Sequence, residues 1–380
     1  MSMKYGWFGN REVPSSSDIS EKIANTAMTC YMPYKLRSAS SFATYNREAD
    51  KFLNKVGDTG VKVLLEIPAA ALGNGAFATS INNAYGNHSK VEGFYLEEPD
   101  EFGYSPHHVQ DLNLSLSKDL VINLKMRSNQ AVYNTWGSKC DVLAAPDYVL
   151  LDDTDPWEGI ENMSALAKLK NAKPSSFWHV MQAWQREDLP EDFPSTPYRE
   201  PTAPDGKYYE MWWLAHRPFI DKAKGMLFFS WPRASDGLHT KVKDMCLRIK
   251  QESFNRAFEN HADDHTDSGH VQNLGHSDIL FRYQYFSLDW WLLVVDKNPD
   301  TAAAGAYPKQ VKFKCNLGDR SGNFIVLNNR YADYFTENNT EPGRIVPVTR
   351  NGSWATFNEE GSSFGLQRGE VRLYRFLCGG

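Results

Sequence analysis

Cysteine is scarce in this chain, and its placement excludes the structures that depend on it. Cys30, Cys140, Cys246, Cys315 and Cys378 are odd in number, scattered along 380 residues, and never fall in a CxxC pair. They therefore read as buried or free thiols rather than a disulfide framework or a zinc site, and a reducing compartment is favoured. Positive charge is also short. Against 47 Asp and Glu there are 41 Lys and Arg, a net charge of −6, which argues against a nucleic-acid partner because phosphate binding needs clustered cations. No apolar run approaches the roughly 20 residues that a membrane span requires. The opening MSMKYGWF passes straight into a strand-like run without the apolar core of a secretory signal. The cytoplasm is thus the favoured location, or secretion if a leader has been trimmed away. No GxGxxG follows the first apolar run and no GxSxG elbow surrounds Ser230, so the usual sequence marks of dinucleotide binding and of a serine-hydrolase elbow are missing there.

Aromatic side chains, by contrast, are plentiful. The chain holds 11 Trp, 18 Tyr and 21 Phe, enough to build both a core and a cleft lined with flat rings on which sugar faces stack. Up to about residue 260, short, nearly continuous apolar runs alternate with longer polar or amphipathic stretches. The runs are Tyr5–Gly9, Met28–Tyr34, Val61–Pro68, Val91–Glu98, Leu120–Met126, Tyr148–Asp153, Phe177–Trp184 and Met226–Trp231. Helical signals fill Ser40–Val56, Ser105–Leu116, Gly159–Lys170, Tyr208–Lys222 and Asp236–Phe258. Runs without alternation suit parallel strands covered on both faces, and eight of them spaced by helices predict a (β/α)8 TIM barrel over residues 1–260. A doubly wound open sheet is the competing arrangement.

Residues 261–277 are polar and turn-rich and read as a linker. Its His261, Asp263, Asp264, His265, Asp267, His270 and His276 have no spacing that fixes metal ligands on one face, so a solvated linker is the expectation. Beyond it, short alternating or aromatic-rich runs lie between turn signals such as DKNPD, GDRSG and RNG. They predict an antiparallel β-sandwich over residues 278–380.

In a barrel of this kind the chemistry sits at the C-terminal strand ends. The most informative run is VEGFYLEEPD, residues 91–100, where an apolar strand stops on Glu97, Glu98 and Pro99. A carboxyl shielded at such a point has its pKa raised toward the range of a general acid. Glu98 and Asp153 each end a wholly apolar run and are the candidate catalytic pair. Asp100 and Asp155 look like helix caps. Candidate substrate contacts are Tyr31, Glu66, Arg127, Asp152, Gln182, Trp184 and Trp231, with Trp157 as a further stacking residue. Glycoside hydrolysis needs two carboxyls flanking the scissile bond. About 5 Å between them implies a retaining route, and about 6.5–9.5 Å an inverting one. A triad of Ser230, His179 and Asp153 is disfavoured because His179 sits mid-strand, as a core histidine does. Lys125 offers a Schiff-base amine, but no Gly-rich phosphate loop accompanies it.

The segment GFYLEEPD resembles the strand-four signature of the large clan of (β/α)8 glycoside hydrolases, whose acid/base Glu precedes Pro. On that match Glu98 is the acid/base, and Glu97 stands where Asn or Asp is usual. LLDDTDP resembles the strand-six pattern of related barrels, with Asp153 at the matching position. HVMQAW and MLFFSW resemble strands seven and eight, with Trp231 as substrate platform, and DWWLLVVDKNP and EVRLYRF resemble the C-terminal sandwich of such enzymes. The resemblance implies a poly- or oligosaccharide substrate and neither metal nor organic cofactor. It also implies a strand-seven Glu nucleophile, where this chain has Gln182 and Gln185, with Glu187 only beyond. Asp153, with Asp152 and Glu187 in reserve, then supplies the second carboxylate, or the protein binds glycans without cleaving them.

Overall fold

The computed structural model describes residues 3–9, 15–24, 30–33, 35–125, 128–147, 164–183, 209–229, 234–251, 265–286, 289–297, 307–320, 322–326, 344–360, 365–366 and 369–378. Eight parallel strands close on themselves in sequence order: β1 (Lys4–Phe8), β2 (Cys30–Met32), β3 (Lys62–Glu66), β4 (Val91–Glu97), β5 (Leu120–Asn123), β6 (Val142–Asp147), β7 (Phe177–Gln182) and β8 (Gly225–Phe229). A helical segment follows each strand. These are α1 (Ser16–Asp18, continued by a π turn), α2 (Phe42–Val56), α3 (Gly75–Tyr85), α4 (Pro106–Ser115), α5 (Gln130–Gly137), α6 (Ser164–Ala172), α7 (Tyr209–Ile220) and α8 (Asp236–Gln251). This is the (β/α)8 barrel that the run spacing predicts.

The strands read as continuous apolar runs because both of their faces are buried. One set of side chains, including Phe8, Leu64, Tyr95, Val121, Trp178 and Leu227, packs inside the barrel. The alternate set, including Trp7, Leu65, Phe94, Ile122 and Phe228, packs outward under the helices. Helix starts are fixed by side-chain caps. Ser41, Asn74 and Asn129 each accept the backbone N–H three residues on, at 3.3, 3.1 and 3.1 Å.

Two strand expectations are corrected. The sixth strand is Val142–Asp147, ahead of the expected Tyr148–Asp153, which lies outside the described residues. Two alanines and a proline make VLAAPD a weak strand signal beside YVLLDD, yet small residues suit a wall packed against the Trp178 strand. The fifth strand stops at Asn123 rather than Met126. There Asp100 accepts the Lys125 N–H at 3.2 Å and the Ser128 hydroxyl at 2.6 Å, drawing the chain away from the ladder.

The C-terminal part contains two antiparallel sheets. One has the order β10 (Ile279–Phe286), β11 (Asp289–Asp296), β17 (Val371–Cys378), β13 (Gly322–Val326), β14 (Arg344–Val346). The other has the order β15 (Thr349–Asn351), β16 (Trp354–Glu359), β12 (Val311–Asn316), β9 (Val271–Asn273). Within the expected linker, Val271–Asn273 is strand: β9 pairs with β12 through Val271–Cys315 and its neighbours. In β12, Val311, Phe313 and Cys315 are buried and alternate with half-exposed Lys312, Lys314 and Asn316. In β11 both faces are buried. Leu292 and Val294 meet the other sheet, while Trp291, Leu293 and Val295 join the barrel-side core. Helix α7 forms that contact. Trp213 Nε1 donates to the Asp296 carbonyl at 2.8 Å, and Arg282 donates to the Phe219 carbonyl at 3.0 Å. Cys30, Cys140, Cys246 and Cys315 are free and buried. No helix among the described residues is long and apolar enough to cross a membrane.

Candidate active site

The barrel's inward alternation decides which side chains reach its C-terminal mouth. Leu64, Tyr95 and Val121 point inside, so two residues further on Glu66, Glu97 and Asn123 do the same at the ends of β3, β4 and β5. All three are buried, at 1%, 6% and 3% exposure. Asn123 Nδ2 reaches both carboxyl oxygens of Glu97, at 3.2 and 3.3 Å. Arg37, in a 3-10 turn (Leu36–Ser38) after β2, lies across the group. Its backbone N–H donates to Glu66 Oε2 at 3.0 Å, its Nε stands 3.5 Å from Glu66 Oε1, and its Nη2 donates to the Glu97 carbonyl at 3.3 Å. The guanidinium sits 3.9 Å over the ring of half-exposed Phe102, a cation–π contact, and Tyr104 lies 6.0 Å beyond that ring.

Glu98 occupies a different position. Its backbone donates to the Asn123 carbonyl at 2.7 Å, and its φ of +41° ends the strand in the left-handed region. A non-glycine residue adopts that conformation only where its surroundings hold it, more so directly before a proline. The Glu98 carbonyl accepts the N–H groups of Glu101 and Phe102 at 3.0 and 3.1 Å, which folds the chain into the turn that carries Phe102 and Tyr104. The side chain is half-buried.

The electrostatics are those of carboxyls in deficit of cations. Burial pushes Glu66 up to about 7 despite Arg37. Burial, then the neighbouring Glu98 and Glu66 carboxyls, push Glu97 well above the usual carboxylate range, against the opposing Asn123 and Arg37. Burial and then Asp100 also raise Glu98, and here too Arg37 opposes. A site with several carboxyls in different states of protonation can donate a proton and hold a hydroxyl-rich ligand. Among the described residues no group of three or more His, Cys, Asp and Glu is placed to hold a metal.

Of the sequence candidates, the structure brings Glu66 and Glu98 together at this mouth. Tyr31 is turned away: it belongs to the outward set, 2% exposed beneath the helices, because Cys30 and Met32 take the inward positions of β2. Gln182 ends β7, and its side chain, with Arg127, Asp152, Asp153, Trp157, Trp184, Glu187 and Trp231, lies outside the described residues. Lys125 is engaged by Glu101 at 2.8 Å. His179 is fully buried on the outer face of β7, 3.2 Å from Asp147, which also accepts the first amides of α6 from Ala165 and Leu166 at 3.1 Å each. That is a structural histidine. Arg37, Asn123, Phe102 and Tyr104 were not anticipated. For Asn123 the signal was present, as it is the first polar residue at an inward position of LVIN.

No family profile matches this chain, and no curated protein does. Among solved structures it is similar to the trehalose-6-phosphate hydrolase of Bacillus licheniformis, with a TM-score of 0.52 and 9% identity over 99% of both chains. It is also similar to a putative alpha-galactosidase of Bacteroides fragilis, with a TM-score of 0.50 and 9% identity over 99% of this chain and 79% of that one. At such identity the likeness is one of fold: a closed parallel barrel followed by antiparallel sheets.

Proposed function

We propose that the protein is a glycoside hydrolase acting on a poly- or oligosaccharide, with Glu98 as its acid/base. The observation that carries this reading is the end of β4. It sets a half-buried carboxyl with a raised pKa at the C-terminal mouth of a closed barrel, beside two buried acids, an arginine and exposed aromatic surface. Shielding keeps the Glu98 proton on the acid until the glycosidic oxygen takes it, and the raised, coupled environment returns a proton from water afterwards. The structural neighbours named as hydrolases of sugars support the reading at the level of fold. Asp153 remains the proposed second carboxylate, with Asp152 and Glu187 in reserve, and Glu66, Arg127, Gln182, Trp184 and Trp231 the proposed substrate contacts. Tyr31 is not carried forward, since it faces the helices.

Gln182 at the end of β7, where the resemblance implies a Glu, favours one second reading, a glycan-binding barrel without turnover. Reducing-sugar release from a polysaccharide panel, run on wild type and Glu98→Gln, separates the two. Turnover that collapses in the variant supports the hydrolase. Binding without turnover in either protein supports the second reading.

A further inference from the structure

We infer that Glu97 is the positioning residue of this site: a neutral carboxylic acid closed into a two-hydrogen-bond ring with the Asn123 amide, leaving Glu98 as the one carboxyl at the end of β4 that exchanges protons. The inference rests on the hydrolase reading of the same site and assigns a role to a residue that reading does not use.

The geometry begins with the amide. Asn123 Nδ2 straddles both oxygens of Glu97, whereas Asn123 Oδ1 is buried with no hydrogen-bond partner. An orphaned buried acceptor is costly, and the group beside it is a carboxyl. If Glu97 carries a proton, a small turn of the carboxyl plane lets its O–H donate to Oδ1 while Nδ2 donates to the other oxygen. Every polar atom of the pair is then satisfied. If Glu97 is ionised, Oδ1 faces an anion and stays unpaired.

The surrounding charges point the same way. From the turn after β2 comes Arg37, which donates to the Glu97 backbone carbonyl and whose charge opposes the rise of the Glu97 pKa. From β3 comes Glu66, already holding the Arg37 guanidinium and N–H. From β4 itself comes Glu98, and from beyond β5 comes Lys125, paired with Glu101. Ionising Glu97 would bury a charge and set it against two other carboxyls, a cost that the Asn123 amide and Arg37 offset in part. The consequence for catalysis is direct. A neutral Glu97 does not repel a negative charge on Glu98, so Glu98 loses its proton more readily than it would beside an anion.

The test uses Glu97→Gln, which keeps the shape and a permanent amide, alongside Glu97→Ala. Infrared spectra at neutral pH are expected to show a protonated-carboxyl carbonyl band in wild type that is absent from Glu97→Gln. That readout does not depend on turnover, so it stands even if the hydrolase reading fails. Thermal unfolding is expected to favour Glu97→Gln over wild type by a margin that grows as pH rises above the ordinary carboxyl range, because the folded wild type holds its proton more tightly than the unfolded chain does. In turnover, Glu97→Ala is expected to lose at least tenfold, Gln to rescue most of that loss, and the alkaline limb of the Glu97→Gln pH profile to stay in place. An unchanged carbonyl band overturns the proposal. So does an alkaline limb lowered by about one pH unit in Glu97→Gln, since removing a true anion beside Glu98 would lower its pKa.

Discussion

Among the described residues, two clusters of buried acidic side chains, one in the barrel mouth and one in the sandwich, are treated in opposite ways. In the sandwich each is matched by donors. Arg372 holds Glu370 through two parallel bonds of 2.7 and 2.8 Å and reaches Glu359 at 3.2 Å, while Tyr374 donates to Glu359 at 2.5 Å. Asp296 takes Lys309 at 2.6 Å, the Tyr307 hydroxyl at 2.5 Å and the Gly369 N–H at 3.1 Å. In the barrel mouth, by contrast, the carboxyls of Glu66, Glu97 and Glu98 crowd together: Glu66 takes the Arg37 guanidinium and N–H and Glu97 the Asn123 amide, and all three have raised pKa values. The first pattern is that of a satisfied buried network, which fixes how strands and loops meet. The second raises the pKa of every carboxyl in it, which costs stability as pH rises and suits proton transfer. Composition treats the two sets alike. The count of donors around each separates them.

The largest expected effect lies in the mouth. Glu98→Gln keeps the volume and the left-handed backbone and removes the proton, so turnover falls by roughly 10²–10⁴ in initial-rate assays. Glu359→Gln, on the sandwich side, leaves turnover within about twofold. If the two variants lose activity equally, the functional division between the clusters is wrong.

Next in size is Arg372→Met. It leaves Glu359 and Glu370 buried without their cation, and breaking such a network costs about 3–5 kcal/mol, read from denaturant unfolding. An effect below about 1 kcal/mol would show that water or rearrangement replaces the arginine and would erase the contrast with the mouth.

Glu66 gives the pH signature of the under-neutralised cluster. Its folded pKa of about 7 lies above the ordinary 4.5, so the folded state holds this proton more tightly than the unfolded one. The stability Glu66 contributes is full below pH 4.5 and is lost as pH rises toward 7. The shift corresponds to about 3 kcal/mol across that window. Unfolding free energies measured from pH 4.5 to 7 are expected to decline in wild type more than in Glu66→Gln. Parallel curves would mean that Arg37 neutralises Glu66 outright.

How much of this was legible in sequence differs between the halves for a physical reason. β12 wrote its burial into VKFKCN as strict alternation, and turn signals separate such runs, so the antiparallel class of the C-terminal part was legible. The short β9 and β15 escape that reading: each is three residues of polar or turn-like composition, held by its ladder to β12 or β16 rather than by its own pattern. Barrel strands are apolar on both faces, which gives away their existence and hides their inward parity and ends. Hence Tyr31 was expected inside and lies outside, and β5 was extended past Asn123 to Met126. Arg37 was invisible because nothing local marks it: it reaches the site from a turn, through contacts 29 and 60 residues away in sequence.

The smallest expected effect concerns Lys125, whose charge bears on Glu98 but whose ammonium is paired with Glu101 at the edge of the mouth. Its ammonium is 2.8 Å from Glu101, with both side chains close to half exposed, at 42% and 45%. Water screens such a pair, and holding two long side chains together offsets most of its attraction, so Lys125→Met changes stability by no more than about 0.5 kcal/mol. A Schiff-base amine needs the opposite surroundings: desolvation, or a second cation that lowers its pKa. The carboxylate at hand instead favours the charged ammonium, which cannot attack a carbonyl. Borohydride in the presence of a reducing sugar is therefore expected to leave Lys125 unlabelled by mass spectrometry, with initial rates in Lys125→Met within about twofold of wild type. Covalent labelling at Lys125 would move the reactive centre from the β4 carboxyls to the β5 loop.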